Sequence, residues 1–266
     1  MADGVYHVTA RGTERSPIYL DDADRSAFVR RLDRVIDRFG WRCLDFCLMP
    51  NHLHLLVRTP QPNLPRGAQQ LIGGYAQWFN RRHERIGPLF AGRYGAVLVQ
   101  RDAHLLEILR YIALNPVRAG LVGDATRWRW GGHAAILGHR RPEPFLAVEE
   151  VHELFAAQGA ADGARAYAEF VAATGETRYA ATGAAFGDAG FLRSVLPDSR
   201  PYPDVPVAVW GPGRPPLADL LGDRSSESAL RAYRVHGYTM PEIATVLGCH
   251  VATVSRRVAD VERRSA

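Results

Sequence analysis

The stretch Phe46–Val57, FCLMPNHLHLLV, decides the fold prediction. Pro50 and Asn51 form a turn pair between two apolar runs, so the stretch predicts two strands joined by a tight turn. Residues two apart on a strand point to the same face. His52 and His54 should therefore project together, while the leucines that follow each of them point to the opposite face. Two imidazoles on one face are a natural ligand pair for a divalent metal. The alternative is that both are core histidines, because the pattern of one residue between two histidines is weak by itself.

The segments around this stretch alternate between strand and helix patterns. Apolar residues recur at helical spacing after an acidic first turn in residues 21–40, and Gly40 closes that pattern. The predicted elements are strand 5–12, helix 21–40, strands 41–49 and 52–59, helix 64–85, strand 94–100 and helix 102–116. This order predicts an α+β fold, with helices on one face of a mainly antiparallel sheet.

The last of these helices carries two further polar residues of interest. Asp102 is its predicted N-cap, and Pro116 is predicted to mark its end. Tyr111 and Asn115 are four residues apart and share one helix face. The tyrosine hydroxyl is a candidate nucleophile, and the asparagine amide oxygen is a candidate ligand for Mg²⁺ or Mn²⁺. The alternative is that Tyr111 is a half-buried core aromatic and that Asn115 only ends the helix.

The charge of the chain is distributed unevenly. Its 33 basic residues are all arginine and stand against 28 acidic residues. Residues 1–140 carry 20 arginines against 12 acidic residues, or +8, whereas residues 141–266 carry 13 against 16, or −3. A high arginine content is also what a GC-rich genome produces. The position of the excess nevertheless favours a polyanionic partner for the N-terminal half, with nucleic acid first.

Cysteine usage and hydropathy predict the compartment. The three cysteines are an odd number with no CxxC pair, which argues against a disulfide framework or a zinc site and for the reducing cytoplasm. No apolar run approaches the length of a membrane span, and the N-terminus has no signal-peptide pattern, so no membrane association is expected.

The C-terminal half predicts a separate DNA-binding module. Residues 141–226 are predicted to form a helical extension and a linker rich in proline and glycine. Residues 227–266 fit a helix-turn-helix, in which Gly248 supplies the turn and five apolar residues hold the two helices together: Ile243, Ala244, Leu247, Val254 and Val258. Four residues of the second helix would face DNA: Thr253, Ser255, Arg256 and Arg257. The alternative is a plain helical hairpin that packs on the core.

Two motifs in order resemble one known family. MPNHLHLLV at 49–57, followed by RYIALNPVRAGLV at 110–122, resembles the single-tyrosine HUH transposases, and within them the REP-associated tyrosine transposases of bacteria. The resemblance begins at YHVTARG and IYLDDADR, continues through GPLFAGRY and WRWGGHAAILG, and covers the first 140 residues well. The two motifs at this separation are far more specific than either motif alone.

The resemblance implies a ferredoxin-like α+β core in residues 1–140 and a reaction on DNA. Tyr111 is the implied nucleophile, and His52, His54 and Asn115 are the implied ligands of a divalent metal, Mg²⁺ or Mn²⁺. The implied activity is cleavage and rejoining of single-stranded hairpin DNA through a 5′-phosphotyrosine intermediate.

The chain is therefore expected to work in the bacterial cytoplasm, in association with the nucleoid. Duplex DNA is a second candidate partner, through the C-terminal module, and the sequence leaves monomer and dimer both open. Four arginines near the motifs are predicted to contact the DNA backbone: Arg11, Arg15, Arg93 and Arg118. Three aromatic residues are candidate stacking platforms for unpaired bases: Tyr94, Trp128 and Trp130.

Two other functions stay open at this point. The first is a non-catalytic regulator that only binds hairpin or duplex DNA. The second is an unrelated metal-dependent phosphoesterase, which would leave Tyr111 without a role.

Overall fold

The computed structural model describes residues 1–100, 103–157, 159–173, 185–187, 191, 194–195, 209–210, 217–234, 238 and 240–264. The predicted N-cap Asp102 lies outside these residues, as does the predicted proline-rich linker apart from Val209–Trp210. The chain forms two compact units, Met1–Ala181 and Thr182–Ala266.

The first unit has the predicted order of strands and helices. Its elements are β1 (Gly4–Arg11), α1 (Asp22–Phe39), β2 (Arg42–Met49), β3 (His52–Thr59), α2 (Leu64–Arg82), β4 (Gly95–Val99), α3 (Ala103–Arg118), α4 (His133–Ile136), α5 (Val148–Ala156) and α6 (Gly163–Ala172). The β-α-β-β-α-β-α order of the sequence pattern is confirmed over β1 to α3. The predicted α+β class is confirmed with it.

The strands of this unit pair in the order β2-β3-β1-β4, and each of these pairs is antiparallel. The register places Arg11 opposite His52 and Thr9 opposite His54. Because directly opposed residues share a face, alternate residues of β1, including His7, lie on the face of the histidine pair. The leucines of the other face are buried as well, so both faces of β3 are covered.

Helix α1 begins and ends at the residues that its sequence predicts. The Asp21 side chain accepts a hydrogen bond from the backbone N–H of Asp24, and Gly40 ends the helix in the left-handed conformation with φ 66°. Helix α2 packs against α1. The Tyr75 hydroxyl of α2 is buried and donates a 2.6 Å hydrogen bond to the carbonyl of Ile18, just before α1.

Helix α3 runs two residues past Pro116, so the predicted end of this helix was wrong. A proline removes one N–H donor from a helix, but the residues after it still supply donors for the last turn. Gly120 then closes the helix with φ 67°: its N–H bonds to the Val117 carbonyl, and the N–H of Leu121 bonds to the Pro116 carbonyl. Asn115 therefore lies within α3 and does not end it.

The two structural units differ from the predicted division at residues 140 and 226. Helices α5 and α6 belong to the first unit, where α5 contacts β2 and α6 contacts α3. Tyr167 of α6 is fully buried and hydrogen-bonded to His133 of α4 at 2.7 Å. The predicted extension is therefore divided, and its helical part completes the core of the first unit.

The second unit contains a short parallel strand pair and a helical core. Its elements are β5 (Ala185–Phe186), β6 (Val209–Trp210), α7 (Leu217–Leu220), α8 (Ser226–Arg234), α9 (Met240–Leu247) and α10 (Val251–Arg264). The five apolar residues predicted to hold the last two helices together are all buried in one cluster. Leu217 and Leu221 belong to the same cluster, so this core begins before the predicted boundary at residue 227.

The turn between α9 and α10 has a geometry that glycine favours. Gly248 has φ 66°, and the N–H of Cys249 bonds to the Ala244 carbonyl. This pairing closes α9 and turns the chain directly into α10. None of the helices in the described ranges combines the length and apolar character needed to cross a membrane.

Candidate active site

Helix α3 lies against the face of β3 that carries the histidine pair. His54 is 3% exposed and His52 is half-buried, and their rings stand nearly perpendicular with centroids 4.9 Å apart. The Tyr111 ring meets His54 edge-on, with centroids 5.5 Å apart and an interplanar angle of 90°. The structure therefore brings together the predicted nucleophile and the predicted ligand pair, which are almost sixty residues apart in sequence.

Asn115 completes the predicted set from one turn further along α3. Its amide nitrogen donates a 2.8 Å hydrogen bond to the Tyr111 carbonyl, which leaves the amide oxygen as the atom available to other groups. The Asn115 side chain interacts with both imidazoles and acts to raise the pKa of His52 and of His54. All four residues predicted to carry the chemistry lie at one place.

The hydrogen bonds of Asn51 determine the proton position on His52. The Asn51 amide nitrogen donates to the Arg15 carbonyl at 3.0 Å, so its amide oxygen faces His52 Nδ1 at 2.7 Å. Since that oxygen can only accept, Nδ1 carries the proton and Nε2 of His52 presents a lone pair.

The second histidine is held in a similar way by a residue of β1. His54 Nδ1 lies 2.9 Å from Nε2 of His7, which is fully buried. The remaining nitrogen of His54, Nε2, is buried and has no hydrogen-bond partner. A buried polar atom without a partner often marks the place of an ion or a water molecule. A cation bound here would be the partner of Nε2.

Burial keeps the imidazoles neutral. Burial, and then the positive charge of Arg11, lower the pKa of His52 to about 4. Burial also lowers the pKa of His54 well below its usual value and that of His7 to about 3. Metal ligation needs neutral imidazole, so at neutral pH no proton competes with a cation for these nitrogens.

These observations fit a divalent cation. His52, His54 and Asn115 each present an acceptor atom, while the other polar atom of each side chain has a partner. Two neutral imidazoles and one amide oxygen leave the charge of a cation uncompensated, which suits an anionic substrate. Among the described residues, no group of three or more His, Cys, Asp or Glu side chains is arranged to hold a metal. The predicted ligand set differs from such a group because its third member is an asparagine.

Two of the four predicted DNA-binding arginines lie beside this site. Arg11 is exposed opposite His52 and lowers the pKa of both histidines of the pair. The Arg118 guanidinium lies over the Tyr111 ring, 5.5 Å from its centroid. Arg15 and Arg93 are exposed, and Arg15 joins the site through its carbonyl bond to Asn51 rather than through its side chain.

The candidate stacking aromatics differ in their availability. Trp128 is half-buried and lines a small cavity with Asp45. Trp130 is half-buried and has the guanidinium of Arg129 over its ring at 4.5 Å. Tyr94 is half-buried next to β4.

In the second unit, the four residues predicted to face DNA lie on α10. Ser255 and Arg256 are exposed, and Thr253 is half-buried. Arg257 donates a 3.5 Å hydrogen bond to the Arg224 carbonyl, so part of its guanidinium is already engaged.

The sequence patterns missed His7 and Asn51. The sequence assigns Asn51 to a turn, and the pattern indicates no role for its side chain. His7 precedes His54 by 47 residues, and only the pairing of β1 with β3 brings the two together. The alternation of His7 and Thr9 along one strand face was the available signal, but the sequence gives no register for it.

With this geometry established, the resemblance to tyrosine transposases predicted from the sequence is confirmed by comparison with known proteins. Residues 2–115 match the family model described as "Transposase IS200 like". More particularly, a Haemophilus influenzae protein that bears the name REP-associated tyrosine transposase is 24% identical over 161 residues, which are 53% of this chain and 86% of that protein.

Two solved structures also show similarity. One is a REP-associated tyrosine transposase bound to a REP hairpin, with 15% identity and a TM-score of 0.44 over 55% of this chain and 85% of its own. The other is a protein of Deinococcus radiodurans R1 assigned as a transposase, with 22% identity and a TM-score of 0.32 over 41% of this chain and 87% of its own.

Proposed function

We propose that this chain is a metal-dependent strand transferase that cleaves and rejoins single-stranded, hairpin-forming DNA through a 5′-phosphotyrosine intermediate. The observation that carries the proposal is the edge-on contact of Tyr111 with His54, at a centroid distance of 5.5 Å. A tyrosine that lies against His54, one helical turn from the amide oxygen of Asn115, has an arrangement suited to attack on a phosphate. The family match over residues 2–115 and the excess of arginine in the first 140 residues support the same reaction.

In the proposed reaction the Tyr111 oxygen attacks a backbone phosphorus of the single strand. A bond forms between the tyrosine oxygen and phosphorus, and the bond from phosphorus to the 3′ oxygen breaks. The phenolic proton is lost to solvent, and the departing 3′ oxygen takes up a proton to become a hydroxyl. Because one phosphodiester replaces another, a 3′ hydroxyl can later attack the phosphotyrosine, rejoin the strand and release Tyr111 without an external energy source.

The side chains around Tyr111 have separate tasks in this proposal. His52, His54 and Asn115 would hold the cation, which when bound supplies positive charge to the phosphoryl oxygens. Arg118, which lies over the tyrosine ring, and Arg11, opposite His52, would attract the phosphate and favour the negative charge on its oxygens. The amide nitrogen of Asn115 donates its hydrogen bond to the Tyr111 carbonyl throughout. This bond holds the Asn115 side chain in a fixed position relative to the backbone of Tyr111.

The test uses the full chain, Mn²⁺ and a pool of single-stranded oligonucleotides that fold into hairpins with randomised flanks. One pool carries a label at the 3′ end and a second pool at the 5′ end. A 5′-phosphotyrosine link retains the 3′-labelled fragment on the protein in a denaturing gel, while the 5′-labelled fragment is released with a free hydroxyl. Peptide mass spectrometry should place the nucleotide on the peptide that contains Tyr111.

Tyr111→Phe is the decisive variant, and Tyr94→Phe is its matched control. Each change removes one oxygen and keeps nearly all of the apolar volume, with a loss of stability of at most about 1.5 kcal/mol if a hydrogen bond is lost. We expect adduct and cleavage to disappear in Tyr111→Phe and to persist in Tyr94→Phe, while both variants still bind hairpins. Cleavage by the wild-type chain without an adduct would favour a phosphoesterase. Binding without cleavage would favour a non-catalytic DNA-binding regulator.

A further inference from the structure

His7 is a buried histidine outside the set of residues that the proposed reaction uses. It lies on β1, on the same sheet face as the histidine pair, and it is fully buried. Its ring stacks on that of His54 with centroids 5.1 Å apart and an interplanar angle of 16°. Its Nε2 lies 2.9 Å from Nδ1 of His54, and its ring also meets Tyr111 edge-on at 6.1 Å.

Only one proton can lie between these two nitrogens, so there are two arrangements. If His7 donates, Nδ1 of His54 is bare and the proton of His54 is on Nε2, as a buried N–H that makes no hydrogen bond of normal geometry and has only a weak interaction with the Asn115 side chain. A buried donor without a partner destabilises a folded protein and is rare in native structures. If His54 donates, its Nε2 is a bare lone pair that points into the site. The second arrangement leaves no buried N–H of His54 unpaired.

We propose that His7 is a positioning residue: it accepts the Nδ1 proton of His54 and so fixes the tautomer in which Nε2 of His54 is a metal ligand. The inference rests on the proposed metal site. Asn51 has the same role for His52. Its amide oxygen accepts a hydrogen bond from Nδ1 of His52 at 2.7 Å, which leaves Nε2 of His52 as the ligand atom. Groups that orient a ligand histidine in this way typically contribute 10–100-fold to metal affinity, about the range expected for His7.

Two variants of His7 separate a hydrogen-bond acceptor from simple volume. His7→Gln keeps a polar acceptor at the end of the side chain, whereas His7→Met is unbranched, of similar length and without a comparable acceptor. His133→Met is the matched control, because His133 is also buried and hydrogen-bonded, in this case to the Tyr167 hydroxyl. Both positions lie in the first unit, so the losses of stability in the three variants can be compared directly.

The first measurement reads the tautomer without any metal. The full chain is labelled with ¹⁵N-histidine, freed of metal, and its ring nitrogens are correlated with the ring carbon-bound protons by NMR. We expect His54 to carry its proton on Nδ1 in the wild-type chain and in His7→Gln, and to gain a population with the proton on Nε2 in His7→Met. A wild-type His54 with its proton on Nε2 would overturn the proposal, even if His7→Met did not fold.

The second measurement is the affinity for Mn²⁺ by titration calorimetry. We expect about a 10–100-fold weaker affinity in His7→Met, a much smaller loss in His7→Gln, and no change in His133→Met. An unchanged affinity in His7→Met, or equal losses in His7→Gln and His7→Met, would refute the positioning role. A wild-type chain that binds no Mn²⁺ would instead overturn the proposed metal site, and it is therefore a distinguishable failure.

Discussion

Asp45, a buried carboxyl next to the site, has no part in the proposed reaction. It lies on β2 with its side chain fully buried, and its Oδ1 accepts a 2.7 Å hydrogen bond from the N–H of Phe46. Its Oδ2 has no partner. Burial raises the pKa of Asp45 to about 8, against weaker opposite effects of backbone hydrogen bonds from Phe46 and Gly132. At neutral pH the folded protein therefore holds a proton here that the unfolded chain has lost.

The sign of the resulting pH dependence follows from linkage. Between about pH 4 and pH 8 the folded state binds the Asp45 proton and the unfolded state does not, so the free energy of unfolding falls as pH rises. Asp45→Asn keeps the acceptor and cannot ionise. We expect this variant to be close to wild type at pH 5 and more stable by a few kcal/mol at pH 8.5. Urea unfolding across this range checks it; identical pH slopes for variant and wild type would refute the raised pKa of Asp45.

At the residue scale, local sequence spacing predicts which side chains lie together for some residues of the site and not for others. His52 and His54 share a face because they are two apart on one strand, and Tyr111 and Asn115 because they are four apart on one helix. Both arrangements depend on backbone periodicity alone. The hydrogen bond between His7 and His54 depends on the register of two strands that are far apart in sequence, and no local pattern encodes that register.

At the scale of elements, the approach of α2 to the start of β2 depends on one glycine. A Cβ atom at Gly67 would overlap the ring of Trp41. Trp41 cannot easily move away, because it is 3% exposed and its indole nitrogen donates a 2.7 Å hydrogen bond to Asn63. Gly73 lies in the same helix, with no atom within 4 Å of the corresponding position.

This contrast predicts opposite effects of one substitution within one helix. Gly67→Ala forces Trp41 out of its place and should destabilise the protein by about 1–3 kcal/mol, the usual range for an overpacked core. Gly73→Ala meets nothing and should stabilise it by roughly 0.5–1 kcal/mol through helix propensity. Urea unfolding of both variants gives the comparison. If Gly67→Ala were as stable as Gly73→Ala, Trp41 would be able to move aside without a loss of packing.

Helix boundaries were predicted well where a side chain or a glycine caps the helix, as Asp21 and Gly40 do for α1. The sequence pattern places the end of α3 too early, because a proline often marks the end of a helix. A proline removes one N–H donor and crowds the preceding turn, but the residues after it can still donate to the carbonyls of the last turn. The left-handed Gly120 ends this helix, and the glycine was the better signal.

At the scale of the whole molecule, the second unit is a candidate DNA-binding module with a measurable charge signature. Arg256 of α10 and Arg231 of α8 are both exposed. If α10 faces duplex DNA, Arg256→Ala should weaken binding to random-sequence duplex and reduce the slope of log affinity against log salt by about 1. Arg231→Ala removes the same charge from another helix and should leave the slope unchanged.

Fluorescence anisotropy of a labelled duplex, titrated at several salt concentrations with the full chain, measures both slopes. Equal effects of the two variants would indicate only a general response to net charge. No effect of either variant would favour a plain helical hairpin over a DNA-reading one. In both cases the chemistry proposed for the first unit is unaffected, since Arg256 and Arg231 lie in the second unit.

The extent of each unit was the least predictable property of the whole molecule. Composition indicated a change near residue 140, where the basic excess ends. The first core, however, also needs Tyr167 on α6, and the second core also needs Leu217 on α7. Tyr167 and Leu217 lie in segments whose sequence shows only short amphipathic helices. The pattern predicts such helices, but it does not indicate which core each helix packs against.

The position of Tyr111 and Asn115 on one turn of α3 has a thermodynamic consequence. A helix moves as a rigid rod, so the nucleophile cannot be displaced without displacing the proposed ligand by a similar distance. If the proposed cation and the DNA strand both bind at this turn, their binding would be linked, and each would change the affinity for the other by the same factor. Removal of the cation would then weaken strand binding by the same factor as removal of the strand weakens cation binding.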